Sequence, residues 1–362
     1  MSWSFRFARL FGVDVKIHYT FLLLLLMQWV GGYSAGGMEA AALRTALTVA
    51  IFGCVVLHEF GHIFTARRFG IQTRDVILLP IGGVARIERL PETPREEFLI
   101  AIAGPLVNVV IAALLYLALR ATGQALQDLV EPHSARDLFN DLLIANLFLF
   151  GFNLVPAYPM DGGRILRALL NARLGLLRAT RLAAKIGQGL AMFAGLYGLL
   201  RGDPMLLLVA LFVFFGAGAE AAAVETREAG RGIVVDQMMV TRFVPIPVHA
   251  RLREAVDLLL AGEQREFPVV DNLGRVEGVL TRENLIKGLS ERGPDATVGE
   301  AMTSPVQALQ TGLSFEAALA QLRASGLPAL PVLGPDGGLV GLLTMDNITE
   351  LILVRRAVGP HG

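Results

Sequence analysis

The sequence has little charge for its length. Asp, Glu, Lys and Arg make up 18% of the 362 residues, whereas 54% are hydrophobic, and the mean hydropathy is +0.55. A soluble domain usually carries about a quarter charged residues, so this composition excludes a soluble globule for the whole chain. The shortage is uneven, because residues 17–225 are rich in Leu, Ala, Phe and Gly while 226–362 have an ordinary soluble composition. We therefore predict a membrane domain at 1–225 and a soluble domain at 226–362.

Cysteine and net charge are also scarce. The single cysteine, Cys54, excludes an internal disulfide framework; it lies one turn before His58 and either faces a metal or packs. A net charge of +0 gives no reason to expect a nucleic acid as partner. The basic segment Met1–Lys16 is long and amphipathic, and no small-residue cleavage site follows the next apolar run. This pattern predicts a retained first membrane span, not a cleaved signal peptide.

Long apolar runs are abundant and predict a multi-pass membrane protein. Six spans can be drawn, at 17–33, 42–67, 98–121, 139–173, 179–200 and 204–224. Lys and Arg concentrate in the segments on one side, which predicts a cell-membrane location with cytoplasmic N- and C-termini. The fourth span exceeds the roughly 20 residues that a bilayer requires. It is interrupted by two prolines and two glycines within Asn153–Gly163. Broken backbone at membrane depth survives only where it is buried in protein or lines a wet cavity, so this break predicts a site.

The second span contains His58-Glu59-Phe60-Gly61-His62. Two histidines four residues apart share one helix face, which suits a metal, and the glutamate beside them can act as a base. A catalytic zinc usually takes three protein ligands and a water. Asp161, in the interrupted fourth span, is the best candidate for the third ligand, although an aspartate there could instead cap the following helix. We expect one Zn²⁺ per chain, with Glu59 as general base and acid.

A β-hairpin is predicted between the second and third spans. Two short β-prone runs in Val76–Ile87 flank Pro80-Ile81-Gly82-Gly83. The segment is too apolar for a solvated loop, so we expect it to enter the membrane edge. A substrate strand could add to its edge, with Pro80, Gly82 and Gly83 shaping the turn.

The soluble part contains an internal repeat, at about 235–290 and 297–355, with a β-α-β-β-α order. This order resembles a tandem pair of CBS (cystathionine-β-synthase-type) modules. The resemblance implies a cleft that binds an adenine nucleotide, with Thr281 and Thr344 as phosphate or ribose partners. The residue that is typically a terminal aspartate is Asn284 in one copy and Asn347 in the other. The sequence therefore leaves open nucleotide binding or a purely structural or dimerising module.

Four segments of the membrane part together form a recognisable signature: His58–His62, Asn153-x-x-Pro156-x-x-x-x-Asp161-Gly162, Ala103-Gly104-Pro105-x-x-Asn108 and Pro80–Gly83. This signature resembles that of the site-2 protease family of intramembrane zinc metalloproteases. It implies His58, His62 and Asp161 as zinc ligands and Glu59 as the catalytic residue, with Asn108 and Asn153 holding substrate or stabilising the oxyanion. The CBS pair resembles that of the compact six-span subgroup. The fold expected is an α-helical polytopic membrane domain with a membrane-edge β-hairpin, followed by an α/β tandem CBS module.

The function implied is zinc-dependent cleavage of a transmembrane segment of a membrane-tethered protein, near the cytoplasmic face. The lipid bilayer and that substrate are the expected partners, the CBS pair is the expected regulator, and a homodimer through the CBS pair is possible. The main alternative is a transporter or channel with nucleotide-sensing CBS modules. Transport has no specific need for Glu59 between two metal-spaced histidines. A second alternative, an inactive scaffold, predicts a lost base or ligand, and the sequence retains them all.

Overall fold

The computed structural model describes residues 3–87, 91–121 and 135–358, which belong to two compact units, Met1–Ala222 and Ala223–Gly362. The first unit is mainly helical. Its helices are α1 (Tyr19–Arg68), α2 (Pro94–Ala121), α3 (Ala135–Asn153), α4 (Asp161–Leu174), α5 (Leu176–Arg201) and α6 (Pro204–Ala229), the last of which crosses the boundary between the units. Its strands are β1 (Ser4–Leu10), β2 (Val13–His18), β3 (Thr73–Leu79) and β4 (Gly82–Ile87).

Three helices in the described residues are long and apolar enough to cross a membrane, namely α1, α2 and α6. The 50-residue α1 is two helices in succession, because its backbone leaves the helical conformation at Gly36 and Gly37. A Cβ on Gly32 would lie 2.7 Å from the Cα of Ala41. Residues nine apart in a straight helix are separated by about 13 Å, so the two halves fold back on each other. The six spans themselves stay a prediction.

The four strands form one sheet in the order β1-β2-β3-β4, in which β2 and β3 are parallel and the other pairs antiparallel. Its apolar face packs on the second half of α1, through Val15 and Val76 from the sheet and Phe60 and Ile63 from the helix. Strands β3 and β4 were predicted from the sequence, whereas β1 and β2 were not. Alternating apolar and polar residues in Val13–His18 were a signal for the missed hairpin.

The fourth predicted span is two helices, α3 and α4, separated by the irregular segment 154–160. Ala157 and Tyr158 in this segment are almost fully buried. A Cβ on Gly162 would lie 2.2 Å from the carbonyl oxygen of Val155, so only glycine lets α4 start so close to the irregular segment. The break is therefore packed inside protein, where its free backbone groups find partners.

The second unit consists of two similar repeats. The first contains β5 (Ile246–Pro247), α7 (Leu252–Ala261), β6 (Glu266–Val270), β7 (Val276–Thr281) and α8 (Arg282–Arg292). The second contains α9 (Val298–Ala301), β8 (Leu309–Gln310), α10 (Phe315–Ser325), β9 (Ala329–Leu333), β10 (Leu339–Thr344) and α11 (Met345–Val358). The segment before the first strand of each repeat pairs with the sheet of the other repeat, since Val240 bridges to Leu342 and Thr303 bridges to Val279. The two repeats are thus interlocked into one fold.

Candidate metal centre

Three buried side chains meet in the first unit. His58 and His62 lie on the second half of α1, and Asp161 is the first residue of α4. Their ligand atoms form a nearly regular triangle: the two Nε2 atoms are 3.1 Å apart, and each lies 3.2 Å from Oδ2 of Asp161. Around a tetrahedral zinc with bonds of about 2.0–2.1 Å, ligand atoms stand about 3.3–3.4 Å apart. The triangle therefore has the size of a zinc site.

The remaining ring nitrogens fix the orientation of both histidines. Nδ1 of His62 lies 2.7 Å from the carbonyl oxygen of Ile100, and Nδ1 of His58 lies 2.5 Å from Oδ1 of Asn108. Both partners are acceptors, so each Nδ1 carries the proton and donates. Each Nε2 atom then carries a lone pair that points into the triangle. Such hydrogen bonds to the other ring nitrogen are typical of histidines that ligate metals.

With both histidines neutral and protonated at Nδ1, no proton lies between the three ligand atoms. Two Nε2 lone pairs and a carboxylate oxygen converge within 3.2 Å, and Oδ2 of Asp161 is a buried atom without a hydrogen-bond donor among the described residues. Three acceptors that face one another repel unless a cation lies between them. Two nitrogens and one oxygen are ligands that zinc prefers, so the residues present fit Zn²⁺. The capping alternative for Asp161 is not realised, because α4 has Met160 at its N-cap and no side-chain cap hydrogen bond.

Helix α2 approaches the two histidines closely because it has a glycine at the contact. A Cβ on Gly104 would lie 2.2 Å from Nε2 of His62 and 2.7 Å from Nε2 of His58. Any side chain at this position would occupy the place of the metal ligands. The same helix places Ile100 and Asn108 against the Nδ1 atoms, so α2 is the element that orients the site.

A cavity of about 460 Å³ opens beside the triangle. Among the residues that line it are Glu59, the hairpin residues Ile81–Ala85, and Asn153 at the end of α3. A Cβ on Gly83 would lie 2.8 Å from Cγ of Glu59, so β4 passes directly over this glutamate. The cavity has the volume of a typical ligand site and holds both a metal position and a candidate base.

The two asparagines predicted to act on substrate occupy different places. Asn153 lines the cavity, and its Nδ2 donates to the carbonyl oxygen of Leu149. Asn108 is fully buried behind His58, outside the cavity lining, and its Nδ2 donates to Oδ1 of Asn146 at 2.9 Å. Asn146 in turn donates to the carbonyl oxygen of Leu142 and to Sγ of Cys54. Cys54 therefore contacts the amide chain behind His58.

The sequence analysis did not single out Asn146 or Ile100. The polar amide of Asn146 in the apolar run 142–152 was a signal for this role. Burying a polar group in a bilayer costs free energy, so such a residue usually has a function. Ile100 acts through its backbone carbonyl, and no side-chain motif reports that role.

A buried ionic group ties α4 to two other helices. Arg167 of α4, which is 3% exposed, donates at 2.5 Å to Oε1 of Glu97 on α2 and at 3.2 Å to Oε1 of Glu220 on α6. Its guanidinium also lies 5.4 Å from the ring centre of Tyr158 in the irregular segment. Because Asp161 begins the same helix, these contacts hold the third ligand in register with α2. Sequence reasoning missed this group as well, since its members are far apart in the chain.

The four residues predicted for nucleotide binding lie at equivalent places in the two repeats. The hydroxyl of Thr281 accepts from the backbone N–H of Asn284, and that of Thr344 accepts from the N–H of Asn347, so each threonine caps the last helix of its repeat. Nδ2 of Asn284 donates to Oγ1 of Thr303, and Nδ2 of Asn347 donates to the carbonyl oxygen of Met238. Each asparagine thus holds the segment that crosses over from the other repeat.

Comparisons with known proteins identify relatives of both units. The model of peptidase family M50 matches residues 46–134 and 125–194, and the CBS domain model matches 235–291 and 298–354. The chain is 36% identical over 306 residues to zinc metalloprotease MJ0392 of Methanocaldococcus jannaschii, covering 84% of each protein. It is 31% identical over 161 residues to stage IV sporulation protein FB of Bacillus subtilis, or 44% of this chain and 52% of that protein. It is similar to the solved site-2 protease from Methanocaldococcus jannaschii at 39% identity and a TM-score of 0.47, over 60% of this chain and 95% of that one.

The buried His-His-Asp triangle with an adjacent glutamate has the ligands and the base of a zinc hydrolase site. Together with the family match and the 36% identical relative, it identifies the chain as a zinc metalloprotease. The chain belongs to peptidase family M50, the site-2 protease family, and carries a tandem CBS module at its C-terminal end. The predictions of the family, the enzyme class and the CBS pair are confirmed. The comparisons favour the protease over the transporter, channel or scaffold.

Proposed function

We propose that the protein is an intramembrane endopeptidase that cleaves a transmembrane segment of a membrane-tethered protein near the cytoplasmic face. Residues 1–225 carry the catalytic site and 226–362 regulate it. The observation that supports this proposal most strongly is the convergence of three buried ligand atoms beside a cavity that also contains Glu59. A metal position and a general base in one cavity are the two elements of metal-assisted peptide hydrolysis.

In the proposed mechanism, His58, His62 and Asp161 hold the zinc ion. A zinc ion bound there would supply Lewis-acid polarisation of the scissile carbonyl and activation of a water molecule. Glu59 takes the proton of the attacking water and delivers it to the leaving amine. Glu59 is partly exposed to the cavity and lies on the same helix as both histidines, so its carboxylate stays close to the reacting atoms.

The substrate is proposed to bind as an extended strand along β4. In the described residues β4 pairs with β3 alone, so its other edge carries backbone groups without a strand partner. The hairpin is fixed by Asp75 on β3, which accepts hydrogen bonds from Lys16 on β2 and Arg86 on β4. A strand added at this edge would pass over Glu59, where Gly83 leaves room, and Asn153 would face it across the cavity. Pro80, Gly82 and Gly83 shape the end of this edge.

Proline substitutions test the strand-addition step. Val84→Pro and Ala85→Pro each remove one backbone donor of β4, and successive donors point to opposite sides, so one of the two removes an outward donor. Ala8→Pro on β1, the opposite edge of the sheet, is the matched control. We expect at least one β4 variant to lose cleavage with zinc content intact, while the control cleaves normally. Unchanged cleavage by both β4 variants would contradict the proposed role of the hairpin.

The proposed topology has six spans, a hairpin at the membrane edge, and cytoplasmic N- and C-termini in the cell membrane. It is supported by the excess of Lys and Arg in the segments placed inside. The inner loop that follows the interrupted span contributes Arg173, Arg178, Arg181 and Lys185 to this excess. Labelling of single cysteines at Ser4 and Glu350 by a membrane-impermeant reagent in intact cells tests it. Labelling of either position before lysis would contradict the proposed orientation.

The CBS pair is proposed as the regulatory unit, with an adenine nucleotide as its ligand and the pair as a dimerisation surface. The match of both repeats to the CBS family supports this proposal. Thr281 and Thr344 would contact phosphate or ribose, together with the side-chain oxygens of Asn284 and Asn347. Calorimetric titration of the full-length protein with AMP and ATP tests the ligand, and the mass of the detergent-solubilised protein tests the dimer. Absence of heat with either nucleotide would leave the pair a structural role.

The central experiment uses purified protein in lipid vesicles together with a single-span substrate. We expect about one zinc per chain, cleavage of the substrate, loss of cleavage with a chelator, and recovery when zinc is restored. A zinc-free protein that cleaves, or a zinc-loaded protein that cleaves no single-span substrate, would contradict the proposal.

A further inference from the structure

The cavity beside the metal centre contains a cation that the mechanism above does not use. Arg164 is the only Lys or Arg among the described residues that line it, and its side chain is partly buried. Within the described part of the chain, Arg164 makes no hydrogen bond or ion pair, in contrast to Arg167 on the same helix. A partly buried guanidinium is costly unless a partner compensates it, so an arginine held in this position points to a partner that arrives from outside.

The position of Arg164 on its helix is a second reason to expect an external partner. It lies in the first turn of α4, which begins at Asp161. The helix dipole disfavours a positive charge there, so helix stability does not explain the residue. Asp161 could offset the charge, but its carboxylate oxygen is directed at the two histidines.

The net charge of the cavity with a metal ion bound indicates the chemistry of the partner of Arg164. Among the described residues that line the cavity, the carboxylates of Asp161 and Glu59 together balance one divalent metal ion, and Arg164 is the remaining charge. Glu97, which is outside the lining, also attracts Arg164, but its carboxylate is hydrogen-bonded to Arg167 and does not contact Arg164. A carboxylate from the substrate would neutralise this charge and accept a two-pronged hydrogen bond from the guanidinium. A lysine at the same place in the substrate would be repelled.

On this basis, and resting on the proposed protease function, we propose that Arg164 is a specificity-determining residue that selects substrate segments with an acidic side chain close to the scissile bond. Arg164 follows Asp161 by three residues, so their Cβ atoms are about 5–6 Å apart on one helix face. An extended chain advances about 3.3–3.6 Å per residue. The acidic side chain is therefore expected within about one to three residues of the cleaved bond.

The experiment sets each of three positions on either side of the cleaved bond of a single-span substrate to Glu, Gln or Lys in turn. With wild-type protein we expect one position at which Glu is cleaved about 10-fold or more faster than Gln, and Lys more slowly still. Arg164→Glu reverses this order at the same position, and Arg164→Met removes it. Arg173→Glu is the matched control, because Arg173 is exposed near the end of the same helix and lies outside the cavity lining.

A binding measurement separates this proposal from the protease function itself. Fluorescently labelled segments carrying Glu, Gln or Lys are titrated into the zinc-loaded Glu59→Gln protein, with and without Arg164→Glu, so no cleavage is needed. Binding that favours Glu and reverses with Arg164→Glu supports the role of Arg164 even if no substrate is cleaved. Equal affinities for the Glu and Gln segments, or an order of affinities that Arg164→Glu leaves unchanged, overturn the proposal. Loss of zinc from Arg164→Met with an unchanged substrate preference also overturns it, because Arg164 would then act on Asp161.

Discussion

The two units of the protein differ in how many polar side chains they bury. All but one of the buried polar or charged residues in the described part of the chain belong to the first unit, although that unit is the more apolar in sequence. The exception is Thr281, which caps a helix of the CBS pair. The cores of the two repeats are otherwise built from aliphatic and aromatic side chains. An apolar composition therefore does not mean an apolar interior.

The difference follows from what surrounds each unit. A CBS repeat can leave its polar groups in water and bury hydrocarbon, which gives stability without pairing requirements. Inside a bilayer a polar group must be paired within the protein, so only groups with a function are worth keeping there. Several of these groups form two networks near the metal centre, the histidine–asparagine chain of His58, Asn108 and Asn146 and the ionic group around Arg167. Both networks act on the positions of the three metal ligands.

The largest expected effect comes from removing the ligand on α4. Asp161→Asn replaces a carboxylate oxygen by a neutral amide, so we expect zinc affinity to fall by more than about 100-fold, since even an outer partner of a ligand is worth about 10–100-fold. Zinc content after dialysis measures this loss. Asp141→Asn, at another buried carboxylate of the same unit, is the control and should retain zinc. Full zinc occupancy in Asp161→Asn would contradict the inference that this buried carboxylate binds the metal.

Glu59→Gln should separate catalysis from metal binding. The glutamate lies in the cavity but outside the triangle of ligand atoms, so the variant keeps its zinc while it loses the proton acceptor. We expect the cleavage rate of a single-span substrate to fall by about 10²–10⁴-fold. The rate per bound zinc is the quantity to compare with the wild type. Cleavage at the wild-type rate would remove Glu59 from the mechanism.

Asn108→Leu should weaken the site without touching a ligand. The change leaves Nδ1 of His58 without its acceptor and Oδ1 of Asn146 without its donor. We expect zinc affinity to fall by about 10–100-fold, as for other partners that orient a metal-binding histidine. Asn153→Leu is the matched control, because that residue lines the cavity without contacting a ligand in the described structure. Equal zinc affinities in the two variants would contradict the orienting role.

The sequence predicted the residues with recognisable chemistry better than the residues that position them. The spacing of His58 and His62 fixes their shared helix face, and the prolines and glycines around Asp161 exclude a continuous helix, so both halves of the metal centre could be predicted. The contacts of Asn108 could not, because a motif contains an asparagine but not the direction of its amide. Arg167 joins residues 70 positions before it and 53 after it, and such pairs depend on tertiary packing.

Substitutions in the CBS pair are expected to have the smallest effect, because they should change stability and leave zinc binding unchanged. Thr281→Val removes the hydroxyl that caps α8, and Thr344→Val removes its counterpart at α11, so each should cost about 1 kcal/mol of unfolding free energy in the second unit. Zinc content should stay at the wild-type level in both variants, because neither residue belongs to the networks around the metal. Denaturant unfolding followed with zinc analysis on the same samples measures both quantities. If Thr281→Val released zinc as Asn108→Leu is expected to do, the two units would not be independent in stability, and the CBS pair would control the metal centre directly.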